Sequence, residues 1–407
     1  MRVIYIHQYF RTPEEGGAVR SYHLAKGLVK SGIEVEMITA GNQKEYDQKW
    51  IDGVKVHYLP VSYDQKFGFF KRVKAFFAFS SQAKKLLKKL VRPDLLYITS
   101  TPLTTGWIGL WAKKNLAIPY IFEVRDLWPQ APIEVGAIKH PLLIQYLRKL
   151  ESRIYQNALS LVALSPGIAD HLRKVSPASK VNLIPNFSDL TLFAPQKKSS
   201  LLFKKYGLGD QLTIAYTGAL GQVNAVNELL ELAKYAQEKN KDWQFIVMGR
   251  GSKEQELKAY AALHQLKQVR FFSFGSKEKV QEVLSLADFA WISFAHLPVL
   301  KTNSPNKFFD AIAAGKAILV NHKGWVDQLV KQYELGISFV PGKFEKSFEK
   351  LEELASDELK LAQMGENSRK LAEAYFSKEL AVSKLLRALD PERFPASFGD
   401  EAYILTA

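Results

Sequence analysis

The 407-residue chain contains no cysteine. Disulfide bonds and thiolate metal sites are therefore excluded, and a reducing compartment such as the cytoplasm is indicated. No run of about 18 or more apolar residues occurs, so we expect no transmembrane helix. The chain opens with MRVIYIHQYF, a short β-like run without the apolar core of a secretory signal peptide.

Acidic residues are scarce in the first half of the chain. Residues 1–190 carry 27 Lys and Arg against 15 Asp and Glu, whereas the remainder carries 29 against 26. Most of the formal net charge of +15 therefore lies in the first half. A basic half beside a near-neutral half indicates different partners, with nucleic acid, an anionic membrane and phosphorylated substrates as candidates.

Apolar, β-branched runs alternate with segments of helical period along most of the chain. Strand-like runs are RVIYIHQYF, IEVEMITA, LLYITS, PYIFEVRD, ALSLVALS, KVNLIPN, LTIAYTGALG, WQFIVMGRG, VRFFSFGS, FAWISF and AILVN. Helical segments lie at 18–31, 69–91, 103–115, 141–157, 224–239, 252–265 and 277–286. The alternation predicts α/β architecture with two doubly wound, Rossmann-like domains.

A polar stretch at 186–211 interrupts the alternation and indicates a domain boundary near residue 190. We expect a first domain at 1–190 and a second at 191–375. Residues 376–407 hold a final helix, at about 377–389, and a tail. We expect this segment to pack back toward the first domain.

Glycines follow several of the predicted strands. Gly16-Gly17 lies after the first strand, Gly218 lies at the equivalent place in the second domain, and Gly249 precedes Arg250. Ligands of parallel sheets bind at these strand ends. Each glycine could serve only a tight turn, and none belongs to a dinucleotide fingerprint or a P-loop. Matching glycine turns in both domains nevertheless favour one ligand held across a cleft.

The stretch TNSPNKFFDAIAAGKAIL, residues 302–319, places polar groups at the start of a helix. Asn306 and Lys307 lie in the first turn, where free N–H groups, the helix dipole and a cation favour a phosphate. Asp310 lies near the same end and can accept hydrogen bonds from the two hydroxyls of a ribose. A nucleoside diphosphate would use both features. The alternative is an acid placed for helix stability beside an exposed lysine.

Several motifs along the chain carry a family resemblance. They are HQYFRTPEEGGAVRSYHLAKGLVKSGIEVEMIT, FEVRDLWPQAP, ALSPGIADHLRK, NLIPNFSD, YTGALG, FIVMGRGSKEQELK and SPNKFFDAIAAGKAIL. In order and spacing, the chain resembles GT-B fold glycosyltransferases of family 4, in the subgroup that builds bacterial O-antigen, capsule and exopolysaccharide. The resemblance implies two domains facing each other across a cleft.

The resemblance also implies a nucleotide sugar in the second domain. Pro305–Lys307 would take the diphosphate, Asp310 the ribose, and Phe274-Gly275 the base. The implied donor-binding residues are Gly16, Gly17, Gly218, Gly249, Arg250, Phe274, Gly275, Pro305, Asn306, Lys307 and Asp310.

Two departures from the family pattern concern the charges at this site. The family has two glutamates separated by seven residues, but this chain has Thr302 and Asp310 at those positions. The arginine–lysine pair that often follows the TGALG turn is replaced by QVNAVN. Arg250, Lys307 or Arg125 could supply the missing positive charge, and the sequence leaves this choice open.

The resemblance implies transfer with retention at the anomeric carbon, which requires stabilisation of the departing diphosphate and of an oxocarbenium-like sugar. No D-x-D-like motif stands out at a strand end, so we expect no metal and no other cofactor. Asp126 and His7 are the candidate catalytic residues, with Glu123 nearby. Asp126 could activate the acceptor hydroxyl, or it could pair with Arg125 or cap the next segment. A structural role remains open for His7.

Residues 66–92 carry nine basic residues and no acid. In a helix, aromatic residues share one face and lysines another, which is typical of helices that lie on anionic membranes. Packing on the sheet with solvated lysines is the alternative, and nucleic acid is not expected because no recognition module accompanies the charge. The predicted membrane contacts are Phe69, Phe70, Lys71, Phe76, Lys84, Lys85, Lys88 and Lys89.

The sequence therefore predicts a retaining hexosyl- or N-acetylhexosaminyltransferase that uses a nucleotide-diphosphate sugar, expected to be a UDP-sugar. The expected acceptor is a lipid-linked saccharide, and the expected location is the cytoplasmic face of the cell membrane. A sugar-nucleotide epimerase of the same fold and a non-catalytic sugar-nucleotide-binding membrane subunit are the alternatives.

Overall fold

Two sheets organise the chain in a computed structural model, which describes residues 1–63, 67–339 and 343–395. The first sheet has the order β3-β4-β2-β1-β5-β6-β7-β8 and is parallel except for the β3–β4 pair. Its strands are β1 (Arg2–Ile6), β2 (Glu34–Gly41), β3 (Asp47–Ile51), β4 (Val54–Pro60), β5 (Leu95–Thr99), β6 (Tyr120–Val124), β7 (Ser160–Ala163) and β8 (Val181–Leu183).

The second sheet is parallel throughout and has the order β11-β10-β9-β12-β13-β14. Its strands are β9 (Thr213–Ala219), β10 (Gln244–Arg250), β11 (Val269–Ser273), β12 (Phe289–Ile292), β13 (Ala317–Val320) and β14 (Gly336–Ser338). Strands β5, β6, β12 and β13 are buried at every residue. Such strands are covered on both faces, which explains their nearly continuous apolar sequences.

Helices cover both sheets. In the first domain they are α1 (Arg20–Lys30), α2 (Phe69–Leu87), α3 (Gly106–Leu116), α4 (Gln130–Glu134), α5 (Pro141–Asn157) and α6 (Pro166–Val175). The next are α7 (Ser200–Tyr206), α8 (Asn227–Glu238), α9 (Glu254–Leu263), α10 (Lys277–Leu286), α11 (Asn306–Ala313) and α12 (Trp325–Gln332). The last are α13 (Phe344–Ala355), α14 (Glu358–Tyr375) and α15 (Lys378–Leu389). Two Rossmann-like α/β domains result, as the sequence predicted.

The chain passes between the two domains twice, and the two crossing segments are joined. Ser188 forms a short parallel bridge with Ser377, and its N–H donates to the carbonyl oxygen of Phe376 at 3.1 Å. Asp189 on the first crossing pairs with Lys378 on the second at 2.7 Å. The crossings therefore form one connection between the domains.

Helix α15 packs against α1 of the first domain. Gly27 allows the close approach, because a Cβ atom there would lie 2.3 Å from the Cγ2 atom of Val382. Ala381, Leu385 and Leu389 join the buried cluster of the first domain. The last described helix therefore belongs to the first domain by packing.

Replacing Leu385 with alanine tests the contribution of this helix. Leu385 is fully buried, so Leu385→Ala should lower the free energy of unfolding by about 2–5 kcal/mol. Urea unfolding followed by circular dichroism measures the change. Leu359→Ala is the control, because Leu359 is 86% exposed and its loss should change little. Equal free energies of unfolding for both variants would contradict the conclusion that the packing of α15 stabilises the protein.

Candidate functional site

A cavity of about 420 Å³ lies between the domains, where strands of both sheets end. The first domain contributes residues after β1 and before α1. The second contributes the ends of β9 and β10, the turn after β11 and the start of α11. The lining residues are Tyr9, Arg11, Gly17, Ala18, Thr217, Gly218, Ala219, Met248, Arg250, Phe274, Gly275, Lys277, Val280, Phe294, Pro305, Asn306, Lys307 and Asp310.

The two domains touch at one rim of this cavity through Gly16. Its φ is +67°, and a Cβ atom there would lie 2.5 Å from the carbonyl oxygen of Gly275 and 3.1 Å from Cζ of Phe274. The guanidinium of Arg250 lies 4.5 Å from the centre of the Phe274 ring. Only glycine combines this backbone conformation with so close an approach. The loop that holds Gly16-Gly17, called the glycine loop below, is thus in contact with the turn Phe274-Gly275 that was predicted to bind the base.

Gly218 and Gly249 lie side by side in neighbouring strands. Gly218 lines the cavity, but Gly249 does not. A Cβ atom on Gly249 would lie 1.8 Å from the carbonyl oxygen of Gly218, so a side chain there would collide with the adjacent strand. Gly249 therefore has a packing reason for being glycine, and Gly218 keeps the cavity wall free of a side chain.

Lys307 lies in the first turn of α11 and points into an aromatic environment. Its Nζ donates to Tyr216 Oη at 3.0 Å and to the Ser293 carbonyl oxygen at 3.3 Å, and it lies 4.8 Å from the Phe294 ring centre. Among the described residues, no carboxylate lies within ion-pairing distance of Lys307. Burial lowers the pKa of Lys307 to about 7. An anion bound beside this ammonium would supply the missing counter-charge.

The negative charge of Asp310, one turn further along α11, is already compensated within the protein. Its Oδ2 pairs with Lys277 Nζ at 2.5 Å, and its Oδ1 accepts a hydrogen bond from Ser188 Oγ at 3.1 Å. Asp310 and Asn306 line both this cavity and an adjoining one of about 420 Å³. The carboxylate is therefore held in one orientation between two open spaces.

Pro305 precedes α11 as its N-cap residue, and Asn306 is the first helical residue. The first N–H groups of a helix have no acceptor within the helix and are available to a ligand. Because Pro305, Asn306 and Lys307 all line the cavity, the start of α11 faces it. An anion there would meet both the helix dipole and the lysine.

The candidate catalytic residues lie at strand ends of the first domain, outside the cavity lining. Asp126 follows β6 and accepts a hydrogen bond from Thr101 Oγ1 at 3.3 Å. Burial raises the pKa of Asp126, and the positive charge of Arg125 opposes the rise. The predicted role of Asp126 stays a prediction.

His7 is buried, and its Nε2 accepts a hydrogen bond from the Arg125 guanidinium at 3.1 Å. Burial, and then the charge of Arg125, lower the pKa of His7 well below its usual value, so the ring is neutral near pH 7. Its Nδ1 atom is buried without a hydrogen-bond partner. This arrangement fits a side chain that positions Arg125, and the predicted catalytic role of His7 stays a prediction.

Thr302, which replaces the first family glutamate, lies at the domain interface and not in the cavity lining. Its carbonyl oxygen accepts a hydrogen bond from Ser165 Oγ at 2.5 Å. A Cβ atom on Gly167 would lie 2.8 Å from the Thr302 Cγ2 atom. Thr302 therefore helps to join α6 to the second domain.

The residues of the α2 region that were predicted to contact a membrane differ in their exposure to solvent. Phe70 is 86% exposed, and Lys71, Lys85, Lys88 and Lys89 are exposed as well. Phe76 is half-buried beside Tyr63 and Trp128, with ring centres 6.1 and 6.3 Å away. Lys84 is half-buried, and burial lowers its pKa. The side chain of Phe69 lies outside what the structure describes.

An exposed aromatic groove runs between α2 and α3. Phe77 and Trp107 have ring centres 5.1 Å apart, and Lys88 Nζ lies 5.7 Å from the Trp111 ring centre. Lys84 and Lys85 also line this groove. The lysine face of α2 is therefore continuous with aromatic rings of α3. The sequence analysis did not single out these tryptophans.

Sequence reasoning missed other cavity residues. Lys277 opens α10 directly after the predicted turn Phe274-Gly275, so its position at a helix start was a usable signal. Ser188 lies in NLIPNFSD, but nothing in that motif shows that its hydroxyl meets Asp310. Tyr9 and Arg11 follow β1, where the carboxyl end of a central strand was the available signal.

Two family models cover most of the chain. Residues 15–186 match the glycosyl transferase 4-like domain, and residues 199–371 match glycosyl transferases group 1. The protein is thus a transferase enzyme, a glycosyltransferase with GT-B architecture. It belongs to the glycosyltransferases that join a 4-like domain to a group 1 domain.

Individual relatives are distant. The chain is 21% identical over 243 residues to alpha-D-kanosaminyltransferase of Streptomyces kanamyceticus, a match that spans 58% of this chain and 61% of that relative. Sucrose-phosphate synthase of Thermosynechococcus elongatus superposes with a TM-score of 0.77 and 18% identity, over 95% of this chain and 98% of the other. HepE of Anabaena in complex with UDP-glucose superposes with a TM-score of 0.70 and 15% identity, over 96% of this chain and 99% of the other. These two structures show the fold alone.

Replacing Gly16 tests the contact between the domains. Gly16→Ala should lower the rate of sugar transfer about tenfold or more, because the new Cβ atom pushes the glycine loop away from Gly275. Gly207→Ala is the matched control: its φ is +62°, but nothing lies within 4 Å of the new atom. Initial rates of nucleotide release from a donor sugar measure both variants. Equal rates for Gly16→Ala and Gly207→Ala would contradict the role of this contact.

Proposed function

We propose that the enzyme transfers a sugar, with retention at the anomeric carbon, from a UDP-sugar to a lipid-linked saccharide at an anionic membrane surface. The observation that carries the proposal is the ammonium of Lys307, a half-buried residue that lines the cavity between the domains without a carboxylate partner among the described residues. The compensated carboxylate of Asp310 lies one turn away. A nucleoside diphosphate complements both groups.

Lys307 is the best of the three candidates for the missing positive charge. Arg250 lines the cavity, but its guanidinium lies over the Phe274 ring and is exposed. Arg125 is outside the lining and is engaged by His7 and Glu123. In the proposal, Lys307 and the start of α11 take the diphosphate, Asp310 takes the ribose, and Phe274 with Arg250 frames the base.

The choice of UDP and of metal-free transfer is part of the proposal. HepE, a neighbour in fold, was solved with UDP-glucose, and this favours uracil as the base. In the part of the chain that the structure describes, no three His, Cys, Asp or Glu side chains lie close enough together to hold a metal ion. We propose that the Lys307 ammonium and the α11 dipole stabilise the departing diphosphate.

Asp126 is the proposed acceptor-activating residue. It follows β6 at the same edge of the sheet as the glycine loop, and a carboxyl group with a raised pKa is suited to accept a proton from a hydroxyl. Arg125, next to it, would limit that rise. The acceptor would approach from the first domain, where the excess positive charge lies.

The lipid-linked acceptor is proposed from the surface of α2 and α3. Exposed lysines and aromatic rings share this surface, which fits an anionic headgroup region. Among the described residues, every helix is too short or too polar to span a bilayer. The proposed contact is therefore peripheral.

A donor screen tests the proposal. Purified enzyme is incubated with UDP-, GDP-, dTDP- and ADP-sugars, with and without a bacterial lipid extract, and the released nucleoside diphosphate is measured. We expect release that depends on a UDP-sugar and is stimulated by the lipid fraction. The anomeric configuration of the product, read by NMR, should match that of the donor. Lipid-independent conversion of the donor sugar would favour the epimerase alternative and contradict the proposal.

Lys307 should make donor binding depend on pH. Its pKa is about 7 in the free protein, so at pH 8 it is mostly neutral and must take up a proton to hold a diphosphate. Binding of UDP-glucose should take up about one proton at pH 8 and little at pH 6, and affinity should fall as pH rises above 7. Calorimetry in buffers of different ionisation enthalpy measures the uptake.

Two variants control this pH experiment. Lys307→Met should lose both affinity and proton uptake. Lys316→Met should retain them, because Lys316 also has a pKa lowered by burial, to about 8, but lies outside the cavity. Proton uptake that persists in Lys307→Met would assign the titration to another group.

The α2 surface should bind anionic membranes. Each lysine near an anionic leaflet contributes about 1 kcal/mol, so replacing four of them with glutamine should release much of the protein from anionic liposomes. The test set is Lys84, Lys85, Lys88 and Lys89. The control set, exposed lysines of the second domain, is Lys239, Lys258, Lys267 and Lys360.

Co-sedimentation at low and high salt measures the fraction of protein bound to the liposomes. Added salt should weaken wild-type binding, because screening acts on the same attraction. Equal release by both lysine sets would mean that net charge, and not the α2 surface, governs binding. Recovery of wild-type protein in the supernatant with anionic and neutral liposomes alike, at low salt, would mean that α2 only packs on the protein.

A further inference from the structure

Lys277 is a buried lysine whose partner is the carboxylate assigned to the donor ribose. It is 8% exposed, opens α10 and pairs with Asp310 at 2.5 Å. Its ammonium also lies 5.4 Å from the centre of the Phe193 ring. Lys277 and Asp310 both line the cavity between the domains and the adjoining cavity. The pair therefore faces ligand space, unlike an ion pair enclosed in a core.

Ser188 is the second partner of Asp310, and it comes from the crossing between the domains. Its hydroxyl donates to Asp310 Oδ1 at 3.1 Å, and its N–H donates to Phe376 on the other crossing. Ser188 is 2% exposed. One carboxylate oxygen is therefore held by the second domain and the other by the connection between domains.

A physical problem at α11 explains why these partners matter. Lys307 and Asp310 are three residues apart on one helix, so their side chains lie on the same face. A diphosphate held by Lys307 would lie near the Asp310 carboxylate, and two anionic groups that lie close together repel each other. The ammonium of Lys277, which is paired with this carboxylate, would offset the repulsion.

We propose that Lys277 and Ser188 are donor-positioning residues. Lys277 neutralises Asp310 so that the carboxylate can stand beside the diphosphate, and together with Ser188 it fixes the carboxylate for the ribose hydroxyls. The inference rests on the proposed function, in which Asp310 binds the ribose.

Calorimetry with UDP and with UMP tests the role of Lys277. In Lys277→Met the carboxylate of Asp310 is left uncompensated, so UDP affinity should fall about tenfold or more. The affinity for UMP should fall less than the affinity for UDP, because UMP carries one phosphate fewer. The double variant Lys277→Met with Asp310→Asn removes the repelling charge and should bind UDP more tightly than Lys277→Met alone.

Ser188→Ala is the milder variant and keeps the test usable if Lys277→Met folds poorly. Its affinity for UDP should be about two- to fivefold lower, because the Asp310 carboxylate is less firmly held. Lys198→Met is the matched control: Lys198 pairs with Asp288 at 2.9 Å in the same domain but lines neither cavity. This control should bind UDP as the wild type does.

The outcomes separate the inference from the proposed function. Wild-type protein that binds neither UDP nor UMP would overturn both. Wild-type binding of UDP that is unchanged in Lys277→Met and Ser188→Ala would overturn the inference alone. Equal losses for UDP and UMP in Lys277→Met, without recovery in the double variant, would also overturn it, because they indicate a structural role only.

Discussion

The placement of the cleft depends on a buried ion pair between Arg20 and Glu123. Their side chains are almost fully buried, and Arg20 Nη2 lies 2.9 Å from Glu123 Oε2. Burial alone would raise the pKa of Glu123, but Arg20 and Arg125 overcome this effect and the pKa is lowered. Arg20 also donates to the carbonyl oxygens of Ile184 and Pro185. One side chain thus fixes the start of α1, the end of β6 and the first crossing. Breaking such a pair leaves an uncompensated charge, at a cost of about 3–5 kcal/mol.

Each of these three anchored places carries a part of the proposed site. The glycine loop with Gly16 precedes α1, Asp126 follows β6, and the crossing holds Ser188 against Asp310. Charge is distributed unequally along α11 itself. Asp310 is compensated within the protein, whereas Lys307 is desolvated with no carboxylate beside it in the described structure. The Lys307 ammonium and the start of α11 therefore favour an anion at this place in the cleft.

The sequence predicted the elements whose signals are local. Helices α5 and α10 begin and end where the hydrophobic period placed them. Gly16 and Lys307 were predicted from a strand end and a helix start, and the structure places Gly16 at the rim of the cavity and Lys307 in its lining. The Asp52-Gly53 dipeptide, which joins β3 to β4, is a local hairpin signal that the strand pattern alone does not include. Helix α7 lies inside the stretch read only as polar, because seven residues give too little periodicity.

Contacts between distant segments could not be read from the sequence. Lys277 and Ser188 are 33 and 122 residues from Asp310. Packing of α10 near α11 brings Lys277 to the carboxylate, and the crossing between the domains brings Ser188. The helical period of α2 placed Phe76 on its apolar face, but it could not show that Trp128 would lie against that ring. Periodicity gives the face of a helix and not the neighbour that meets it.

The most direct measurement of the central claim is a crystal structure of this enzyme with UDP bound. The account predicts phosphate oxygens within hydrogen-bonding distance of Lys307 Nζ and of the first N–H groups of α11, with the ribose hydroxyls on Asp310. A complex in which the diphosphate is held by Arg250 or Arg125, while Lys307 stays on Tyr216, would contradict it.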